Sequence, residues 1–245
     1  MVLLNYVRLM DVPFLSTTMT HLIKLLDERL EKKEKTFIVT ANPEIIMATK
    51  SDEAYFQTLQ EANFVIPDGI GIVLGARLLG TPIVERLAGF DLMLHLLTLA
   101  SEKGYRVYML GAEESVIEEA VKRVKATYPS LELAGFHHGF ISLEDETVVK
   151  AIKATNPDLI LVGLGFPKQE YWIRRNIKQF DKGLFIGLGG SFDILAGKAK
   201  RAPVIWQKLK IEWLHRLLQN PSRWRRMLAL PAFGMEIVKE RFKKA

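Results

Sequence analysis

The sequence predicts an α/β fold: a Rossmann-like, mostly parallel sheet covered by helices, with a C-terminal helical appendage. Short apolar runs alternate with helix-length stretches from Thr36 to Leu188. Several runs are apolar at consecutive positions, the pattern of strands buried on both faces. Their spacing fits the helix-length crossover that each parallel connection requires.

Taken in order, a short strand or hairpin is expected near Val7–Phe14 and an amphipathic helix over Thr17–Lys32. Thr36–Thr40 is a β-branched run, and Asn42-Pro43 after it suits a turn and a helix start. Asn63–Pro67 is another apolar run, closing on Asp68-Gly69, and helices follow over Gly71–Leu79 and Gly89–Lys103. Arg106–Leu110 reads as a buried strand and Glu113–Tyr128 as a helix whose first-turn acids complement its dipole. Leu131–Gly135, Asp158–Gly163 and Leu184–Leu188 read as strands, with Glu144–Thr155 and Lys168–Phe180 as the helices between them. From Pro203 the strands stop, and helices are expected over Pro203–Gln219, Pro221–Leu230 and Pro231–Lys244, each opening on a proline. Repeats and low-complexity tracts are absent. The expected division is a catalytic domain over residues 1–197 and an appendage over residues 198–245.

Composition narrows the classes of function. The chain has 245 residues, 49% apolar and 25% charged, the profile of a globular protein with a large core. It has no cysteine, which excludes a disulfide framework, thiol catalysis and Cys-based zinc, and fits a cytosolic compartment. The N-terminal MVLLNYVRLMDVPF lacks the basic leader, apolar core and cleavage site of a signal peptide. The most apolar stretch, Leu87–Ala100, is interrupted by Asp91 and His95, so no membrane crossing is expected. Charge is unevenly divided. From Lys198 onward 13 Lys/Arg stand against 3 Asp/Glu, a net of +10, whereas residues 1–197 hold 21 and 25, a net of −4. A mildly acidic body carries a strongly basic tail.

Ligands of open α/β sheets bind beyond the carboxyl ends of the strands. Five strand ends here carry glycine or small polar residues: Thr40-Ala41-Asn42, Pro67-Asp68-Gly69, Gly111-Ala112, Gly163-Leu164-Gly165 and Gly187-Leu188-Gly189-Gly190-Ser191. Glycines let backbone N–H groups approach phosphate oxygens. Each end is equally well a tight turn, but together they point to a phosphate-bearing ligand. The dinucleotide fingerprint is incomplete: Lys168 stands where the third glycine after Gly163-Leu164-Gly165 belongs, and a Walker A loop is missing.

Asp68 follows an apolar strand and precedes Gly69, so its carboxylate should stand at the substrate edge, as a proton acceptor or as a helix cap. Arg86 has the fork that holds a diphosphate, and Glu85 or Asp91 are its alternative partners. Asp193, after Gly189-Gly190-Ser191, suits a sugar hydroxyl or a helix cap. His137-His138 is a poor metal site, since adjacent strand residues face opposite sides. No Asp-x-Asp pair is present to hold a divalent ion on a diphosphate, so arginine and lysine would have to offset phosphate charge. In the tail, Trp206, Leu209, Trp213 and Leu217 fall on one side at helical spacing, with Lys208 and Arg216 off it. That pattern suits a membrane interface, a helix packed on the body, or a basic nucleic-acid surface.

Together these motifs resemble the WecG/TagA/CpsF family of glycosyltransferases. The resemblance covers nearly the whole chain, from Thr40-Ala41-Asn42-Pro43-Glu44 through Pro67-Asp68-Gly69, Glu85-Arg86-Leu87-Ala88-Gly89-Phe90-Asp91 and Gly165-Phe166-Pro167-Lys168-Gln169-Glu170. It continues through Gly189-Gly190-Ser191-Phe192-Asp193 to Lys200-Arg201-Ala202-Pro203. The chain is most similar to the TagA branch of wall teichoic acid synthesis, which moves N-acetylmannosamine from UDP-ManNAc to undecaprenyl-diphosphate-linked GlcNAc in a β-1,4 linkage. The resemblance implies an inverting, UDP-sugar-dependent hexosyltransferase with no cofactor and no metal. It implies Asp68 as general base, with Thr40 and Arg86 beside it in the catalytic site. Substrate-binding positions are Asn42, Gly69, Gly111, Gly163, Gly165, Gln169, Gly189, Gly190, Ser191 and Asp193. Arg216, Arg223 and Arg226 match basic positions of the appendage, serving the UDP leaving group or the membrane.

The partners expected are a UDP-sugar donor, a polyprenyl-diphosphate-linked sugar acceptor and an anionic membrane surface met by the tail. Nucleic acid is not expected. A tail released from membrane would favour a homo-oligomer. The location expected is cytoplasmic, peripheral on the inner face of the cell membrane. Alternatives are the same family with ManNAcA or glucose donors, a nonenzymatic nucleotide- or nucleic-acid-binding module, and a nicotinamide-dependent oxidoreductase.

Overall fold

The computed structural model describes residues 4–203, 205, 206, 209, 211–221 and 224–244. A hairpin opens the chain: β1 (Tyr6–Leu9) and β2 (Val12–Leu15) turn through Met10 and Asp11, both at positive φ, which suits the twist of a two-residue hairpin loop. Helix α1 (Met19–Glu31) follows, capped by Thr18 and burying Leu22, Leu26 and Leu30 one turn apart. Strand β3 (Thr36–Ala41) leads through α2 (Pro43–Ala48) and α3 (Glu53–Gln60) to β4 (Phe64–Pro67). Helices α4 (Ile70–Leu78) and α5 (Gly89–Lys103) then carry the chain across to β5 (Val107–Gly111).

Three further crossovers complete the sheet. Helix α6 (Glu114–Thr127) joins β5 to β6 (Leu133–His137), and α7 (Glu146–Ala154) joins β6 to β7 (Leu159–Gly163). Helix α8 (Lys168–Asn176), ending in a 3-10 turn, leads to β8 (Leu184–Gly187), and a short α9 (Ser191–Leu195) follows. The strand order is β1-β2-β4-β3-β8-β7-β5-β6, with only the β1–β2 pair antiparallel. The fold is therefore Rossmann-like α/β. Its two halves, β1–β4 and β5–β8, meet where β3 pairs in parallel with β8.

Alternation along the central strands feeds two cores. Phe37, Val39, Ile160 and Val162 face a core with α2, α3, α4, α7 and α8, while Ile38, Leu159, Leu161 and Ile186 face one with α1, α5, α6 and α9. This two-sided burial explains the consecutive apolar residues of the strand sequences.

The tail holds α10 (Glu212–Gln219), α11 (Trp224–Met227) and α12 (Ala229–Lys244). Helix α12 packs on the body: Phe233 and Ile237 are buried, and a Cβ at Gly75 of α4 would stand 3.0 Å from Phe233 Cε1. Glu236 pairs with Lys50 of the α2–α3 turn, and the Arg241 guanidinium donates to the Leu78 carbonyl at 2.6 Å. Large apolar side chains elsewhere on the tail stay exposed, among them Trp224, Leu228 and Phe242. Among the described residues no helix is long and apolar enough to cross a membrane.

Several expectations need correcting. Helices α3 and α9 went unforeseen. The break expected at Pro231 falls instead at Leu228, because proline fits the first turn of α12 without costing a hydrogen bond. The single helix expected over Pro203–Gln219 is interrupted: Ile205 and Trp206 are helical, Leu209 is in a turn and α10 starts at Glu212, while Val204, Gln207, Lys208 and Lys210 lie outside the described residues.

Candidate active site

The carboxyl ends of β3 and β4 build one wall of a cleft, and the tail builds the other. Asn42 follows the last residue of β3 and caps α2, its side chain accepting from Ile45 N at 3.1 Å. Pro43 follows at the first helical position, and the β4–α4 turn lies directly against it: a Cβ at Gly69 would come 2.7 Å from Pro43 Cδ, and one at Gly71 2.6 Å from Pro43 Cγ. Both positions need glycine for this contact. Asp68, between β4 and Gly69, is held by its backbone N–H donating to Ala41 O at 3.0 Å. Its side chain is about one-third exposed, at 30%.

Asn42, Pro43, Glu44, Asp68, Gly69, Arg86, Glu212, Trp213 and Arg226 line this cleft, which encloses about 800 Å³ including space open to solvent. A second cleft of about 410 Å³ adjoins it, lined by Ala88, Phe90, Gly190, Ser191 and Arg201. Asp68, Arg86 and Glu212 belong to both.

Arg86 is the hub. Its Nε donates to the Asp68 carbonyl oxygen, and its Nη2 stands 3.7 Å from Asp68 Oδ1. Its two terminal nitrogens donate to the two Glu212 oxygens at 2.8 and 3.4 Å. Burial opposes the guanidinium charge, but the Glu212 hydrogen bonds and the Asp68, Glu212 and Asp91 carboxylates outweigh it and raise its pKa. Arg86 thus remains a cation inside the cleft. Arg201 plays a parallel part beside it, paired with Asp91 at 2.7 Å and lying over the Phe90 ring.

Thr40 is buried, and its hydroxyl donates to Gly187 O at 2.7 Å across the β3–β8 seam. Gln169 is buried as well: its Nε2 donates to Glu170 Oε1 at 2.7 Å, and its Oε1 accepts from Gly189 N at 2.8 Å. Gly190 and Ser191 line the second cleft, and Asp193, which lines neither, has its Oδ2 close to Gly190. Gly111, Gly163 and Gly165 lie farther along the same sheet edge and line neither cleft. With β3 and β8 between β4 and β7, Gly163 is about 14 Å from the end of β4 by strand spacing. Arg226 lines the first cleft and approaches Glu44 Oε1 at 3.5 Å. Arg216 lies in α10 but its side chain is outside the described set, as is Arg223 altogether.

Among the described residues no three His, Cys, Asp or Glu side chains gather to hold a metal. His137 and His138 do not face opposite sides: their rings lie 4.3 Å apart, because β6 ends at His137 and strand alternation ends with it. Glu212 and Glu170 were not singled out by sequence reasoning. Glu170 carried a readable signal, since Gln169, Glu170, Trp172, Ile173 and Asn176 share the buried face of α8. Glu212 carried none beyond opening an amphipathic stretch.

A family model described as "Glycosyl transferase WecG/TagA/CpsF family" matches residues 7–245. A protein of Bacillus spizizenii is 40% identical over 230 residues, covering 94% of this chain and 89% of its own, and is named N-acetylglucosaminyldiphosphoundecaprenol N-acetyl-beta-D-mannosaminyltransferase. Proteins of the same name from Bacillus subtilis and Staphylococcus aureus are each 39% identical, over 94% and 97% of this chain and 90% and 94% of their own. The family model spans both body and tail, and with these relatives it shows that the chain belongs to the WecG/TagA/CpsF family of glycosyl transferases.

Proposed function

We propose that the chain transfers N-acetylmannosamine from UDP-ManNAc to undecaprenyl-diphosphate-linked N-acetylglucosamine, making the β-1,4 linkage of the wall teichoic acid linkage unit. The observation that carries this is the juxtaposition of Asp68 and Arg86 in one cleft between body and tail. One residue suits a proton acceptor and the other an anion holder, the two tasks that displacement of UDP by a sugar hydroxyl requires.

Asp68 takes the proton of the acceptor hydroxyl as its oxygen bonds to the anomeric carbon. The carbon–oxygen bond to UDP breaks on the opposite face, so configuration inverts. The electron pair goes to the diphosphate, whose charge Arg86 and the tail arginines Arg216, Arg223 and Arg226 offset without a metal ion. Thr40 braces the floor of the site through Gly187. Residues 198–245 act as an appendage that closes the cleft and meets the anionic inner face of the membrane, where the lipid acceptor resides. Its exposed Trp224, Leu228 and Phe242 and its net positive charge support that reading.

The test is UDP release from a panel of UDP-sugars in EDTA, with and without a short-chain lipid-diphosphate-GlcNAc acceptor. Acceptor-dependent release from UDP-ManNAc alone is expected. Release from another donor would move the chain to another pathway of the family, and no release from any donor would overturn the proposal.

A further inference from the structure

Glu170 of α8 is fully buried, yet only one of its carboxyl oxygens is hydrogen-bonded. Its Oε2 makes no hydrogen bond of normal geometry; beside it the Tyr55 hydroxyl interacts with the carboxyl. A half-satisfied buried carboxyl lowers stability, and an apolar side chain of the same volume would pack there at less cost. Core packing therefore does not account for this residue.

What Glu170 does contact is informative. Its Oε1 accepts from Gln169 Nε2 at 2.7 Å, and Gln169 Oε1 accepts from Gly189 N at 2.8 Å. The chain Glu170–Gln169–Gly189 is a strut running from the core to the loop after β8. Gly187, at the start of that loop, lies flat on it: a Cβ there would come 2.8 Å from Gln169 Nε2 and 3.0 Å from Glu170 Oε1. The Gly187 carbonyl is held in turn by the Thr40 hydroxyl at 2.7 Å. Leu188, Gly190 and Ser191 of this loop line the cleft that Asp68 and Arg86 also line.

The carboxyl also sets which way the Gln169 amide points. An acceptor oxygen at Glu170 requires the NH2 end there, which leaves the carbonyl end for Gly189. The flipped amide would set oxygen against oxygen and N–H against N–H. A carboxyl and a primary amide both supply that acceptor; an aliphatic side chain does not.

We propose that Glu170 is a positioning residue for sugar transfer, acting through Gln169 to lock the Gly187–Ser191 loop against the cleft of Asp68 and Arg86. This rests on the reading of that cleft as the transfer site, so the experiment has one arm that needs no activity. Glu170→Leu, Glu170→Gln, Gln169→Leu and the double variant Glu170→Leu/Gln169→Leu are compared with the parent chain. The first arm is amide hydrogen exchange at Gly189, expected to quicken at least about tenfold in Glu170→Leu and Gln169→Leu and to stay unchanged in Glu170→Gln. Unaltered Gly189 protection in Glu170→Leu would overturn the strut itself. The second arm is kinetic, on the donor and acceptor above. Glu170→Leu is expected to lose about tenfold or more in kcat with a melting temperature no lower than the parent's, and Glu170→Gln to restore kcat. The double variant should be no slower than Gln169→Leu alone. Unchanged kcat in Glu170→Leu, or losses that multiply in the double variant, would overturn the positioning role. Should Glu170→Leu not fold, Gln169→Leu must show both losses, and its failure to do so sinks the proposal. A parent chain that transfers no sugar indicts the functional reading alone, because the exchange arm still reports on the strut.

Discussion

Glu212 of the tail grips Arg86 of the body with both carboxylate oxygens, at 2.8 and 3.4 Å, across 126 positions of sequence. The two terminal nitrogens it occupies are the ones with which a guanidinium takes a diphosphate. Glu212 and a diphosphate therefore compete for one fork, and the position of α10 is coupled to what Arg86 holds.

Removing that competition should strengthen nucleotide binding. Glu212→Gln is expected to tighten UDP by about fivefold, roughly 1 kcal/mol, as read by isothermal titration calorimetry. Weaker binding would mean that Glu212 orients Arg86 for the nucleotide instead of competing with it.

Asp68→Asn keeps the shape of the side chain and removes its basicity. Turnover is expected to fall by about 10²–10⁴-fold while calorimetric UDP affinity stays level. Undiminished turnover would remove Asp68 as the base, whereas parallel loss of binding would make it a ligand contact.

Two tail surfaces should separate by mutation. Trp224→Ser with Phe242→Ser changes exposed apolar side chains, and is expected to reduce sedimentation with anionic vesicles by roughly tenfold without lowering the melting temperature. Phe233→Ala instead opens the interface between α12 and Gly75, and should cost about 3 kcal/mol in urea unfolding. Equal vesicle binding by the first variant would remove the exposed tail from membrane attachment.

Glu170 should leave a signature in the pH dependence of stability. Burial pushes its carboxyl up from 4.5 to about 7, with the Gln169 hydrogen bond only partly opposing the shift. Below 4.5 both folded and unfolded chains hold the proton, and the group contributes nothing to the slope. Between 4.5 and about 7 the unfolded chain releases the proton while the folded chain retains it, so stability falls as pH rises. The loss levels off above that window at roughly 3 kcal/mol. Glu170→Gln does not titrate, so its stability relative to the parent should grow by that amount between pH 4 and pH 8 in urea unfolding. Parallel profiles for the two proteins would contradict the shift.

Much of the architecture was legible because it is written in local sequence. The α5 boundaries, Gly89–Lys103, coincide with the expected ones, and the helix stops at Gly104 in the left-handed region that glycine readily adopts. The consecutive apolar residues of β3 and β7 announced strands buried on both faces. Helix α3 was readable in principle, from Asp52 as its cap and Tyr55 and Leu59 one turn apart, but it is a second short helix within a single crossover. That arrangement departs from the one-helix rhythm of the β5–β6 and β6–β7 connections.

The sequence by itself determined the layered α/β fold, the family and the strand-end residues Thr40, Asn42, Asp68, Gly69 and Gly189, because helix period, strand burial and turn chemistry act over a few residues. Only the tertiary structure decided that Glu212 meets Arg86, that Gln169 turns inward to Gly189, and that Gly111 and Gly163 stand apart from Asp68. The return of α12 onto Gly75 and the pairing of β3 with β8 set those relationships. Such long-range contacts follow from the summed burial of apolar surface over the whole chain, and no local pattern encodes which charged side chains that burial brings together.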